Sequence, residues 1–247
     1  MAIVTGELGP RVRWAFSDRD GGMSGAPYES SNLADHVGDE PEHVKANRAA
    51  LAAAVGVEVA HVVSMAPVHG NDVGHVLGIS AEPVPRVDAL VTTVTGSALL
   101  VVAADCVPVL LGDSEAGVIA VVHAGWRGVL SDVVGTTIAA MVDLGAEPRR
   151  TRAVVGPAIC GQCYDVPRDR FDLVVAEAPA AVAVASEGRP GLDLRAAVVE
   201  RLRGLGVASS LHAGCTSESA NLYSFRRDGL TGRHGGVITL LPVTVLS

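Results

Sequence analysis

Short runs of Val, Leu, Ile and Ala alternate with turn-forming segments along most of this chain. Two periodicities separate its elements: every second residue for a half-buried strand, every three to four for a helix. Val44, Leu51 and Val55 form one stripe and predict a helix from about Pro41 to Val55. Asp39 is placed to accept the orphan amides at its start, Pro41 suits the first turn, and Gly56 stops it. Apolar residues at 130, 133, 134, 138 and 141 predict a second helix over Val129–Leu144. Leu194, Val198, Leu202 and Leu205 predict a third, from Asp193 to about Leu205. Strands are predicted at Val59–Met65, Ala89–Thr93, Ala98–Ala104, Val107–Leu111, Gly117–Val122, Ala153–Val155 and Val237–Leu241, and Gly21–Gly25 reads as turns. Some strand pairs lie too close for helical crossovers, so the fold class is α+β (mixed α/β), with mixed, partly antiparallel sheet layers and flanking helices. No linker, charge block or repeat divides residues 1–247, which predicts a single domain.

Composition narrows the classes. Of the 247 residues 49% are hydrophobic, enough for a sizeable core, which excludes disorder as the main state. Lys and Arg number 19 against 27 Asp and Glu, a net charge of −8, which argues against nucleic acid as a partner. The longest apolar runs, Ala98–Ala104 and Val107–Leu111, are separated by Asp105 and fall short of the ~20 residues of a membrane span. Met1–Pro10 lacks the basic and apolar segments of a secretory signal, so a cytoplasmic location is expected. Four cysteines are too few for a disulfide scaffold and are left as thiols, ligands or nucleophiles.

The most informative local geometry lies in Val107–Val122. Its two apolar runs flank Gly112–Gly117, too short for a parallel crossover, and predict an antiparallel hairpin. A symmetric turn pairs Leu111 with Val118, Val107 with Val122, and Cys106 with His123, their β-carbons ~4.5–5.5 Å apart. The thiol and imidazole then converge at the open end of the hairpin, beside Asp105 and Arg127. Three readings compete: a buried cysteine beside a core histidine, a Cys/His nucleophilic dyad, or two ligands of a metal site. His69, followed by Gly70, is the best third ligand, while His36, His43, His61 and His75 lie among polar or turn residues and read as solvated. Cys160-Gly161-Gln162-Cys163 is a second possible metal or redox motif, although it opens no thioredoxin-like helix and no second Cys pair completes a zinc ribbon. The basic turn around Arg226, Arg227 and Arg233 suits phosphate or carboxylate capture.

Ordered motifs over nearly the whole chain carry a resemblance. They include Gly21-Gly22-Met23-Ser24 with Asn32-Leu33, Asn47-Arg48, Val68-His69-Gly70, Ala104-Asp105-Cys106-Val107-Pro108, His123-Ala124-Gly125-Trp126-Arg127-Gly128 and Ser224-Phe225-Arg226-Arg227-Asp228-Gly229. The chain resembles the peptidoglycan editing factor and polyphenol oxidase (YfiH-like) family, whose better-supported description is a zinc-containing purine nucleoside phosphorylase with adenosine deaminase activity. The resemblance implies His69, Cys106 and His123 as metal ligands, for zinc or alternatively copper, with Asp105, Cys106, His123 and Arg127 catalytic. Asp105 would be a proton carrier or a partner of the neighbouring ligand. Asn32, Arg48, Arg226 and Arg227 would bind substrate, namely purine nucleosides and phosphate, in a monomer or small homo-oligomer. Pro67 stands where the family usually has Gln. Rival readings are a laccase, disfavoured because the eight histidines include no His-x-His pair, a Cys/His hydrolase, and a non-enzymatic factor that binds cell-wall precursors.

Overall fold

A computed structural model describes residues 2–212 and 214–242. Two mixed sheets lie at its centre. The first has the order β1 (Ile3–Glu7), β2 (Val12–Ser17), β15 (His234–Leu240), β8 (Ala98–Ala103), β3 (Val62–Val63). The second has the order β14 (Ala208–Leu211), β11 (Arg152–Val155), β9 (Val107–Asp113), β10 (Val118–Ala124), β7 (Ala89–Thr92), β5 (Val73–His75). Within these two sheets pairing is antiparallel except for β3 with β8, β11 with β14, and β5 with β7; the short pair of Met65–Ala66 with Val84–Pro85 is parallel too. Short pairs join β4 (Met65–Ala66) to β6 (Val84–Pro85), and β12 (Val182–Val184) to β13 (Pro190–Leu192). The helices are α1 (Pro41–Ala54), α2 (Trp126–Leu130), α3 (Val133–Asp143), α4 (Arg168–Glu177), α5 (Leu194–Gly204) and α6 (Phe225–Asp228).

The unbroken apolar runs of β9 and β10 follow from their burial on both faces. Val107, Val109, Leu111, Ala120 and Val122 pack against α3 and α5. The alternate residues Leu110, Ile119 and Val121 meet Phe16, Leu99 and Ile238 of the first sheet. That sheet in turn packs Ala15, Leu100 and Val237 against Leu51 of α1. The result is a layered α/β/β/α stack, the α+β class that the pattern predicts. Among the described residues no helix is long and apolar enough to cross a membrane.

Local chemistry moves several boundaries. The strand predicted at Val59–Met65 is a 3-10 turn, Val59–His61, followed by β3 and β4. The helix predicted over Val129–Leu144 is two helices, broken where Asp132 takes a left-handed φ of 59°. The Asp132 carboxylate accepts from the Gly135 amide at 3.1 Å and from Arg201 Nε at 2.8 Å, capping α3 and tying it to α5. Asp39 does not cap α1: Glu40 holds that position, and Asp39 Oδ2 instead accepts from Asn32 Nδ2 at 2.9 Å. Helix α4 has no apolar stripe to announce it, since only Val174 is buried.

The hairpin register differs from the symmetric expectation by two residues: Val118 pairs with Asp113 and Ala124 with Val107. Asp113 causes this. Its Oδ1 accepts from Glu115 and Ala116 amides at 3.1 and 3.0 Å, its carbonyl accepts from Gly117 at 2.9 Å, and Gly117 takes a φ of 69°. The turn thus tightens to Ser114–Gly117 and both strands lengthen. A slip of two keeps every side chain on its face, so Cys106 and His123 still share one, as diagonal rather than direct neighbours.

Burial pushes the Asp113 carboxyl up, but the Ala116 and Glu147 amides and the Arg150 guanidinium outweigh it, leaving it below its ordinary 3.8. A lowered folded-state value contributes stability that is complete above the unfolded value and disappears as pH falls through the folded one. Asp113→Ala should therefore lower unfolding stability by about 2–4 kcal/mol at neutral pH, read from the urea midpoint. The difference from wild type should shrink as pH falls below 3.8.

Candidate metal centre

After β8 the chain crosses from the first sheet to the second through Ala104-Asp105-Cys106, and His123 lies near the end of β10. Cys106 and His123 therefore meet at the open end of the seam between the sheets, where the loop after β4 brings in His69. Ligand-type atoms of His69, Cys106 and His123 lie within 4.8 Å of one another. The two imidazole rings stand nearly perpendicular, centroids 4.9 Å apart.

Asp88, fully buried at the edge of β7, orients both histidines. Its Oδ1 lies 3.0 Å from His123 Nδ1, which leaves Nε2 as the free ring nitrogen. The same carboxylate accepts from the amides of Val68 at 3.1 Å, His69 at 2.9 Å and Gly70 at 2.7 Å. That triple bond set holds His69 at a φ of 61°, a left-handed conformation unusual for a non-glycine residue. Beside Cys106, Asp105 has a φ of 97° and is held similarly. Its Oδ1 accepts from Thr216 and Ser224 hydroxyls at 2.6 and 2.7 Å, and its Oδ2 from the Arg226 amide at 2.6 Å. Both Asp105 oxygens are thus engaged by donors from the C-terminal part of the chain.

Gly125 completes the cradle: a Cβ there would meet His69 Cδ2 at 2.8 Å and Cys106 Sγ at 3.1 Å. Burial pushes the Cys106 thiol up, but His123 and His69 overcome it and bring it down to about 6. Burial pushes His123 down, but Cys106 and Asp88 raise it to about 9. Two imidazoles and a thiolate, with one ring fixed by a carboxylate, form a donor set that fits a borderline-soft transition metal.

The trio lines a cleft of about 800 Å³. Of the residues singled out from sequence, Asp105, Arg127, Arg226 and Arg233 line it alongside the trio, as do Pro67 and His36, the latter read from sequence as merely solvated. Asn32, Arg48 and Arg227 lie outside this lining. Asn32 is buried and bonds Ala34, Asp39 and the Arg233 amide. Arg48 Nε donates to the Leu33 carbonyl at 2.8 Å. Arg227 clamps the carbonyls of Thr216, Ser219 and Leu222 at 2.8–3.0 Å. One further arginine, Arg170, reaches the cleft. Arg170 and Arg127 both stack on Trp126, 4.8 and 4.4 Å from the ring centroid. Asp88 stands in the sequence only as the first residue of the motif Asp88-Ala89-Leu90-Val91-Thr92, with no role attached, because nothing local ties a carboxylate to a histidine 35 positions later, and Arg170 was missed because it sits on the unpredicted α4.

A family model described as multi-copper polyphenol oxidoreductase laccase matches residues 13–241. A purine nucleoside phosphorylase of Streptomyces coelicolor is 48% identical over 93% of this chain and 96% of its own. One of Corynebacterium glutamicum is 45% identical over 94% and 97%. Among solved structures, a protein of Neisseria meningitidis superposes with a TM-score of 0.84 at 34% identity, covering 97% of this chain and 99% of that one. YlmD from Geobacillus stearothermophilus does so with a TM-score of 0.86 at 30% identity, covering 95% and 94%. A multi-copper cluster does not fit this donor set: among the described residues only two of the eight histidines, His69 and His123, share a possible metal cluster.

Asp88→Asn should weaken metal binding ~10–100-fold, measured by competition with a chromophoric chelator, because it removes the carboxylate that orients His123. Gly125→Ala should also weaken it while leaving the thermal midpoint close to wild type, since the new methyl displaces two ligands rather than core residues.

Proposed function

Because this chain belongs to the family described as multi-copper polyphenol oxidoreductase laccase, several of whose members carry the name purine nucleoside phosphorylase, we propose that it is a zinc-dependent purine nucleoside enzyme of the cytoplasm. Its proposed reactions are phosphorolysis of adenosine, inosine or methylthioadenosine, and hydrolytic deamination of adenosine to inosine. The observation that carries the proposal is the His69/Cys106/His123 trio in the lining of a cleft that arginines also line.

His69, Cys106 and His123 would hold the zinc, and the Asp88 carboxylate fixes which nitrogen of His123 faces it. Zinc bound there supplies a Lewis acid beside the substrate. In phosphorolysis an oxygen of phosphate attacks the ribose anomeric carbon, the glycosidic C–N bond breaks, and the base leaves with that electron pair and gains a proton. In deamination water adds at purine C6 and ammonia departs.

Orientation of phosphate falls to the arginines. Arg226 is engaged by Asp165, Nη1 to Oδ1 at 2.6 Å, and Arg233 by the Thr231 and Gly232 carbonyls. Arg127 and Arg170 have no carboxylate partner among the described residues; both stack on Trp126 and Arg170 also approaches the Tyr164 hydroxyl, so their charge is left for bidentate contact with an anion. An anionic co-substrate is thus met by local positive charge in a protein of net charge −8. The lowered Cys106 thiol also favours a second reading, a Cys/His hydrolase, in which zinc would not shield Cys106 from alkylation.

Purified protein incubated with adenosine and phosphate should yield adenine and ribose 1-phosphate. Without phosphate only inosine and ammonia should form, and chelation should abolish both until zinc is restored. Full activity without metal, or none of these products, would overturn the proposal. Arg127→Gln and Arg170→Gln should each raise the phosphate KM ~10–100-fold, and the nucleoside KM far less.

A further inference from the structure

A second group of ligand-type side chains lies apart from the His69/Cys106/His123 trio. Parallel neighbours β11 and β14 send their outgoing chains in the same direction, and the two chains meet again, one residue out of the strand register, at an Ala158–Cys215 bridge, with the Thr216 amide donating to the Ala158 carbonyl at 3.2 Å. Each segment then folds into a tight turn. Amides of Cys163 and Tyr164 donate to the Cys160 carbonyl at 3.1 and 3.0 Å, and amides of Glu218 and Ser219 donate to the Cys215 carbonyl at 3.2 and 2.9 Å. The turns are thus built alike, and each presents two side chains three positions apart: Cys160 and Cys163 from one, Cys215 and Glu218 from the other. The sequence shows only half of this arrangement, because the second turn ends in a carboxylate where a zinc ribbon would have its fourth cysteine.

Ligand-type atoms of these four residues all lie within 4.8 Å of one another. Cys163 Sγ is 3.6 Å from Glu218 Oε1, and the Cys160 amide donates to Cys215 Sγ at 3.3 Å. Tetrahedral zinc with bonds of ~2.3 Å spaces its sulfurs ~3.8 Å apart, so a contraction of about 1 Å would close the shell. Cys215 is buried, Cys160 and Cys163 are half-buried and Glu218 is exposed, so the ion has a route in from solvent.

We propose that Cys160, Cys163, Cys215 and Glu218 form a second metal site, a structural, thiolate-rich zinc site that staples the chain leaving β11 to the chain leaving β14. Three thiolates and a carboxylate fill all four tetrahedral positions, leaving none for substrate, which separates this closed site from the open trio. Binding transfers the thiol protons to solvent. The staple bears on the cleft through Thr216, which lies inside the second turn and donates to Asp105, the residue before Cys106.

Wild-type protein, kept reduced and equilibrated with zinc, should carry two equivalents by elemental analysis. His123→Ala should retain one, and the double variant Cys160→Ser/Cys215→Ser should also retain one. Cobalt in His123→Ala should give an intense thiolate-to-cobalt charge-transfer band. Without any variant, zinc loading should slow thiol titration of three cysteines beyond Cys106 and slow amide exchange across residues 215–219. Glu218→Gln, an exposed change that leaves the fold intact, should weaken the second equivalent at least tenfold. A single equivalent in wild type that is lost in His123→Ala, a second equivalent that survives loss of Cys160 and Cys215, or a Cys160–Cys163 disulfide in protein isolated under reducing conditions would each overturn the site.

Discussion

Asp88 carries no exposed surface, yet it remains a carboxylate because four hydrogen bonds converge on it. Burial pushes it towards protonation, but His123 and the Gly70 and Val68 amides pull harder, and its value lies below the ordinary range. Its backbone carbonyl also accepts from the His123 amide at 2.8 Å. One residue therefore fixes the ring of one proposed ligand and the backbone of another. Such a group is costly to bury alone, and the loops around it are arranged so that it is not alone.

The remainder of the reactive end depends on the seam between the sheets. Within the stack, alternate residues of β9 and β10 are consumed by two hydrophobic layers. Only where the strands run out can the inter-sheet face hold polar groups, and there Cys106 and His123 emerge. Asp105 links this end to the C-terminal half of the chain, since Thr216, Ser224 and Arg226 all donate to it. The strained backbone at Asp105 and His69 is thus imposed by hydrogen bonds from distant segments, as is common where geometry serves chemistry.

Charge follows the same logic of local exception within an unfavourable average. The protein is acidic overall, yet four arginines, Arg127, Arg170, Arg226 and Arg233, line the cleft. Those with partners, such as Arg226 on Asp165, shape the wall, and those without leave positive potential for a ligand. Arg48 and Arg227, which sequence motifs single out equally, are occupied by main-chain carbonyls and by the carboxylates of Asp35 and Asp228.

Periodicity and turn chemistry were sufficient for the α+β class, the hairpin that brings Cys106 near His123, and helices α1 and α5, because these rest on contacts within a few residues or across one turn. The hairpin register was legible only to within two residues, since Asp113 tightens the turn with bonds that a symmetric count ignores. The motifs around His69 singled it out, but its approach to Cys106 depends on Asp88, and no local pattern encodes a contact between segments so far apart in the chain. Likewise Cys160 and Cys163 were visible as a spacing, whereas Cys215 and Glu218 become their neighbours only because β11 and β14 pair in parallel. Short-range forces write themselves into sequence as pattern. Convergence of distant side chains is decided by how the sheets pack, and only the tertiary structure records it.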